Sequence, residues 1–282
     1  MTKSLKIPSP WLVTLTGFLS IIYLALIGKI RDPSHLGMSL IFSLAVFSLL
    51  WEKRNSLIRE TTILATSTGG LLIALILWRS IGIVDINLLP SFLEQLLPLR
   101  LIPLVTCVGI GLLASGFRGL KQYWQELTIL FVLGIKVLIY PFIDPSPLVA
   151  KFSSLLLTYL GFNVSIQDEK IVLPTGGIRV LQDCSGLESV LYLLGLAVIF
   201  LFMFPLSNWL KRVFVLITAI TLGFSINGVR VAFLAALVAS HHQEAFNYWH
   251  LKGGALIFGA ISVLAFGLFC LLLLQQEESL TG

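Results

Sequence analysis

Apolar residues run along this chain in long unbroken blocks separated by short polar segments, without the strict alternation of a half-buried strand. A bilayer core about 30 Å thick is crossed by roughly 20 helical residues. Backbone groups in lipid must find partners inside the protein, so continuous blocks of this length predict membrane-spanning helices rather than a barrel. Eight spans are expected, near residues 10–28, 37–51, 61–78, 101–117, 127–143, 185–204, 213–240 and 251–275. The second is short enough to be the least tilted or partly re-entrant. The first follows Lys3 and Lys6 in the manner of a secretory leader, but its apolar part is too long and lacks a small-residue cleavage site, so it reads as a span. The fold class expected is an all-α integral membrane protein, with residues 1–282 as one membrane-embedded domain.

The longest polar interruption, residues 144–183, has a pattern of its own. Leu148, Val149, Phe152, Leu155, Leu156, Tyr159 and Leu160 recur at helical spacing, with Gly161 as a C-cap. They predict an amphipathic helix lying on the membrane surface. Short alternating pairs follow: Val164 with Ile166, Ile171 with Leu173, and Ile178 with Val180, separated by Asp168–Glu169 and by Thr175–Gly176–Gly177. These predict a small extracytoplasmic β-meander that delivers the chain to Cys184. Phe92, Leu93, Leu96 and Leu97, between Pro90 and Pro98, suggest a second surface helix.

Composition sharpens the picture. Of 282 residues, 57% are hydrophobic and 12% charged, whereas soluble domains carry about a quarter charged residues. The shortage extends along the whole chain, which excludes a soluble domain on a single anchor. The net charge of +5 is dispersed over loops, with no basic cluster of the kind that grips nucleic acid. Lys and Arg are in excess in cytoplasmic loops. With both termini inside, the inner segments hold nine (Lys3, Lys6, Lys53, Arg54, Arg59, Arg118, Lys121, Lys211 and Arg212) and the outer segments eight (Lys29, Arg31, Arg79, Arg100, Lys151, Lys170, Arg179 and Lys252). Three of those eight lie in the long 144–183 segment, where charge carries less weight. Omitting them leaves nine against five and places the N-terminus in the cytoplasm.

Three cysteines are too few for a disulfide framework. Cys107 and Cys270 sit inside apolar blocks as small hydrophobes, and only Cys184 has a polar setting. It lies in Gln182-Asp183-Cys184-Ser185-Gly186-Leu187 at the opening of the sixth span. A helix N-terminus favours a thiolate, and the N–H groups of Ser185 and Gly186 could also face an oxyanion. Gly186 would let another chain approach closely. The alternative is a structural cysteine at a helix start.

Arg230, in Asn227-Gly228-Val229-Arg230, lies within an otherwise apolar span, where an arginine is costly and marks a functional site by default. Eighteen residues separate it from Arg212, so it stands about 27 Å up the helix, near the level of Cys184. Asn227, one turn away, suggests a polar pocket; snorkelling to the headgroups is the alternative. His250 opens the eighth span at the same edge. A neutral imidazole can take a thiol proton and return it to a leaving amine, although a histidine beside Tyr248 and Trp249 also suits an interfacial anchor.

A nucleophile, a base and a fixed cation on three spans at one depth make a sufficient acyl-transfer set. Ser185 is a weaker candidate nucleophile than Cys184. His241 and His242 lack a matching ligand motif, the His-Glu-x-x-His pattern is absent, and neither metal nor cofactor is expected. Glu188 shares a helix face with Cys184 and could orient His250 or pair with Arg230, although pairing with Lys136 is favoured. Ala255 and Gly259 form a small-xxx-small pair that fits helix packing. A second class of function, a transporter or channel, would use Arg230, Glu188 and Lys136 as a charge relay.

Cys184-Ser185-Gly186-Leu187, Asn227-Gly228-Val229-Arg230 and His250 with the glycines after it resemble, in order and spacing, the motifs of the exosortase/archaeosortase family. The resemblance covers residues 60–275 and is greatest to the cyanobacterial exosortases. It implies a catalytic set of Cys184, Arg230 and His250 in a bacterial cytoplasmic membrane, with the site on the outer side. It also implies secreted protein substrates with a C-terminal sorting signal, made of a Pro-Glu-Pro-type motif, a transmembrane helix and a basic tail. The new carboxyl end would pass to water or to a lipid or glycan acceptor. Glu188 is not a residue that the resemblance carries over from the family pattern.

Overall fold

A computed structural model describes residues 9–30, 32–84, 99–206, 208–251 and 253–281. The surface helix expected at residues 92–97 lies outside them. The chain divides into two units, residues 1–137 and 138–282.

The first unit is helical: α1 (Ser9–Ile30), α2 (Pro33–Glu52), α3 (Ile63–Val84), α4 (Ile102–Gly119) and α5 (Trp124–Gly134). Helix α2 begins earlier than its apolar block. The Asp32 carboxylate accepts the His35 N–H at 3.0 Å, and Pro33 takes the first helical position, where its missing N–H has no partner to lose. Its 20 residues rise about 30 Å, long enough for a full crossing rather than a shallow entry. Arg100 donates to the same Asp32 carboxylate at 3.0 Å, and buried His35 meets the Tyr23 hydroxyl at 2.9 Å. Helices α3 and α4 approach backbone to backbone at two glycines: a Cβ on Gly69 would stand 2.7 Å from the Gly109 carbonyl.

The block expected as the fourth span and the first half of the block expected as the fifth fall within one apolar helical stretch, Leu99–Gly134. It is not straight. Gly116 has φ +66° and ψ −177°, open to glycine because it has no Cβ, and Gly134 lies back against Arg100 and Leu101. The Ser115 and Tyr123 hydroxyls meet at 2.9 Å within the bend. The Lys53 ammonium reaches the fully buried Glu126 carboxylate at 2.7 Å and the Gln122 carbonyl at 2.9 Å. The Gln122 carboxamide both donates to and accepts from the Ile58 backbone, each at 3.0 Å. Where eight spans were expected, six apolar stretches among the described residues have the length to cross a membrane: Pro33–Glu52, Ile63–Ile81, Leu99–Gly134, Gln182–Met203, Trp209–Ala239 and Gly253–Glu277. Thr14–Lys29 is a shorter apolar helix.

Past the single turn α6 (Lys136–Ile139), the second unit contains α7 (Ser146–Tyr159), β1 (Ser165–Gln167), β2 (Lys170–Leu173), β3 (Gly176–Arg179), α8 (Leu187–Met203), α9 (Trp209–Ala239), α10 (Gln243–Leu251) and α11 (Gly253–Thr281). The expected meander is present, an antiparallel sheet in the order β1-β2-β3 with Ile166 opposite Ile171 and Ile171 opposite Ile178. Alternation puts Ile171, Leu173 and Val180 on one face, which closes with Val149, Ala150 and Leu157 of α7 onto Val231, Ala232 and Ala235 of α9. Helix α7 therefore has two faces. One packs on protein, while Leu148, Leu155, Tyr159 and Leu160 stay exposed. The expected surface helix is half a core helix.

Side-chain bonds seat this layer on the C-terminal half of α9. The buried Ser153 hydroxyl donates to the Gly228 carbonyl at 2.8 Å, and the Thr175 hydroxyl to the Ala239 carbonyl at 2.6 Å. The 31 residues of α9 extend about 46 Å, well beyond the hydrocarbon thickness of about 30 Å. Lower down, Leu193, Ala197 and Phe200 of α8 pack with Val215 and Ala219 of α9 and with Phe266, Cys270 and Leu273 of α11. Cys270 is one of these apolar core residues, as its position in an apolar block suggested. Lys211 and Glu277 form an ion pair between α9 and α11.

Candidate active site

The chain leaves β3 through extended Leu181 and makes one 3₁₀ turn, Gln182–Cys184, in which Cys184 N–H meets the Leu181 carbonyl at 2.8 Å. The Gln182 carboxamide donates to the carbonyls of Tyr140 at 2.6 Å and Ile143 at 3.1 Å, and the Asp183 carboxylate accepts the Tyr140 hydroxyl at 3.1 Å. Gly186, at φ +76°, then hands over to α8, whose first residue is Leu187. Cys184 thus lies in the 3₁₀ turn that opens the Gln182–Met203 stretch, just ahead of α8 itself. The N–H of Ser185 is committed to the Gln182 carbonyl at 3.2 Å, and its buried hydroxyl donates to the same oxygen at 2.6 Å. Ser185 closes the turn, and neither of its polar groups is available to an oxyanion or for attack in this arrangement.

Asn227, buried on α9, donates its carboxamide N–H to the Cys184 carbonyl at 3.0 Å. A Cβ on Gly186 would fall 2.5–2.7 Å from three side-chain atoms of Asn227. Gly186 is therefore required twice, for a positive φ and for this contact. The close neighbour is the protein's own Asn227, where an approaching second chain was expected.

His250 lies near the end of α10, a separate nine-residue helix, where it was expected to open the eighth span. Helix α9 ends in a hydrogen-bonded cap. His241 takes a left-handed φ of +59°, its N–H bonds to Val238 and the His242 N–H bonds to Leu237, both at 3.0 Å. This accounts for the adjacent histidines as a turn between α9 and α10. The imidazole Nε2 stands 3.4 Å from Cys184 Sγ, and the ring stacks on Phe246 with centroids 5.1 Å apart at 22°. Burial pushes its pKa below the ordinary value, and the Arg230 guanidinium acts in the same direction.

Arg230 donates from Nη2 to the His250 carbonyl over a long 3.4 Å. Its Nε is buried with no hydrogen-bond partner, and among the described residues no carboxylate forms an ion pair with it. A buried cation lacking an anion is unfavourable unless one arrives. Glu188 accepts the Tyr192 hydroxyl at 2.6 Å on its own helix.

Cys184, Arg230, His250 and Asn227 are thus brought together from three separate elements. Phe246 was missed. Its signal, an aromatic residue four positions before the histidine, is visible only once residues 243–251 are recognised as helical.

The model of one protein family, described as transmembrane exosortase, matches residues 8–267. No curated protein and no solved structure matches the chain. The family match extends over nearly the whole sequence and includes Cys184, Arg230 and His250. The chain belongs to the transmembrane exosortase family.

Proposed function

We propose that this chain is a membrane cysteine peptidase or transpeptidase that processes secreted proteins carrying a C-terminal sorting signal. The observation that carries the reading is the 3.4 Å approach of Cys184 Sγ to His250 Nε2, beside an arginine with no ion-pair partner among the described residues. Membership of the family supports the substrate class. The narrower likeness to cyanobacterial exosortases rests on the three sequence motifs.

In this reading His250 Nε2 takes the thiol proton as Cys184 Sγ attacks the scissile carbonyl. The oxygen gains negative charge and Arg230 stabilises it, supplying the charge that Ser185 N–H cannot. His250 then returns the proton to the leaving amine, the C–N bond breaks and a thioester remains on Cys184. Water, or a hydroxyl or amine of a lipid or glycan acceptor, attacks the thioester. His250 takes the attacker's proton and restores the thiol. A pKa held below the ordinary value by burial and by Arg230 favours the neutral imidazole, the form that accepts the thiol proton.

We place the N-terminus in the cytoplasm and the site at the outer edge of a bacterial cytoplasmic membrane, with eight crossings. The fold-back of Leu99–Gly134 at Gly116 supports two crossings where length alone counts one, and α1 supplies another. Exposed β1 is a free sheet edge on which an extended substrate segment could add as a strand. Replacing Cys184 by Ala or by Ser tests the assignment in cells that express a substrate with its sorting signal. Unprocessed substrate accumulates in both variants if Cys184 is the nucleophile. Normal processing in the Ala variant refutes it and leaves transport as the better function.

A further inference from the structure

We infer that Phe246 is the positioning residue for His250, its ring face taking the part that a carboxylate plays beside the histidine of a three-residue acyl-transfer site. The inference rests on the proposed roles of Cys184 and His250.

A histidine that takes a proton through Nε2 must hold its ring so that this nitrogen faces the thiol. A carboxylate on Nδ1 is a common way to fix that orientation. Here Nδ1 has no hydrogen-bond partner among the described residues, and no Asp or Glu pairs with the ring. The polar groups that meet His250 from other elements are Arg230 of α9, at its backbone carbonyl, and Cys184 of the 3₁₀ turn, at Nε2. The acidic residue of α10, Glu244, lies exposed in its first turn. Among the described residues, the only polar contact to the imidazole ring is therefore the thiol itself, and no polar group behind the ring fixes its rotation.

Phe246 does. It stands one helical turn before His250 on the same face, and its ring lies nearly parallel to the imidazole at 22° with centroids 5.1 Å apart. Such an offset stack favours one ring plane, and in that plane Nε2 points at the sulfur. The placement of α10 itself depends on other contacts. Trp249 packs edge-on against Phe233 of α9 at 5.3 Å and against Phe258 of α11 at 5.9 Å. Loss of the Phe246 ring thus frees the imidazole without releasing the helix.

The test uses the full-length enzyme in lipid nanodiscs and a peptide spanning the cleavage site of a sorting signal. Wild type is compared with Phe246→Leu, which keeps apolar bulk, Phe246→Tyr, which keeps the ring face, Phe246→Ala, and Cys184→Ala as a control. A loose ring should lower kcat about tenfold in the Leu and Ala variants, with KM changed less than about twofold, while Tyr retains wild-type kcat. Should the Ala variant fail to fold, the Leu and Tyr variants decide the question. Full kcat in Phe246→Leu, or equal losses in Leu and Tyr, overturns the positioning role while an inactive Cys184→Ala leaves the nucleophile standing. Turnover by Cys184→Ala overturns the underlying assignment instead.

Discussion

Replacing Gly186 by Ala should damage the site in a way that its neighbour Asn227 can partly reverse. The residue is left-handed, at φ +76°, a conformation that costs a non-glycine residue about 1–2 kcal/mol. The new Cβ would also stand 2.5–2.7 Å from Asn227 side-chain atoms, too close for any pair of carbons. Asn227 is buried against α8, so it relieves the contact by giving up its 3.0 Å bond to the Cys184 carbonyl. An unpaired buried amide or carbonyl costs about 1–3 kcal/mol. The single substitution should therefore destabilise the protein by about 2–5 kcal/mol. Asn227→Ala alone loses the hydrogen bond and leaves a gap, but in the double variant the alanine methyl enters that gap and the hydrogen-bond loss is counted once. The double variant should be more stable than the sum of the singles by at least about 1 kcal/mol. Denaturation of the purified proteins in a mild detergent measures the cycle, and alkylation of Cys184 by iodoacetamide reports whether the thiol has shifted. Strict additivity, or a Gly186→Ala protein as stable as wild type, refutes the proposed packing.

Two other perturbations have signs fixed by the structure. Burial and Arg230 hold His250 below its ordinary pKa of 6.5, so the acid limb of kcat/KM should lie below pH 6.5. The unfolded chain binds this proton more readily than the folded one, so stability should fall as pH drops from 6.5 towards the folded value, and His250→Gln should flatten that slope in denaturation measured across pH. Lys53→Met strands the fully buried Glu126 carboxylate and should cost about 3–5 kcal/mol, while Lys53→Met with Glu126→Leu recovers most of it. A Lys53→Met protein that unfolds with the wild type contradicts the pairing.

Parts of the fold were legible wherever burial imposes a period. Ile171, Leu173, Ile178 and Val180 alternate, and β2 and β3 pair around them, although Gly176 and Gly177, read as a turn, pair with Leu173 and Val172. Helix α2 was read too short because its start depends on the polar capping residues Asp32 and His35, which an apolar window discards. Helix α10 was missed for a similar reason: Gln243, Glu244 and Asn247 dilute an apolar face carried by Phe246 and Trp249. The fold-back at Gly116 depends on one backbone conformation that no spacing announces. In the site, Cys184, Arg230 and His250 stood out as polar residues among apolar ones. The Asn227 contact with Gly186 joins residues far apart in the chain, and nothing local in either segment reveals it.

The most direct test of the proposed chemistry is peptide mass mapping of the enzyme rapidly quenched during turnover of a sorting-signal substrate. The Cys184 peptide should carry the N-terminal fragment of the substrate as an adduct that neutral hydroxylamine releases, as expected of a thioester. Processing that proceeds with no adduct on Cys184, or with an oxygen ester on Ser185 in its place, contradicts it.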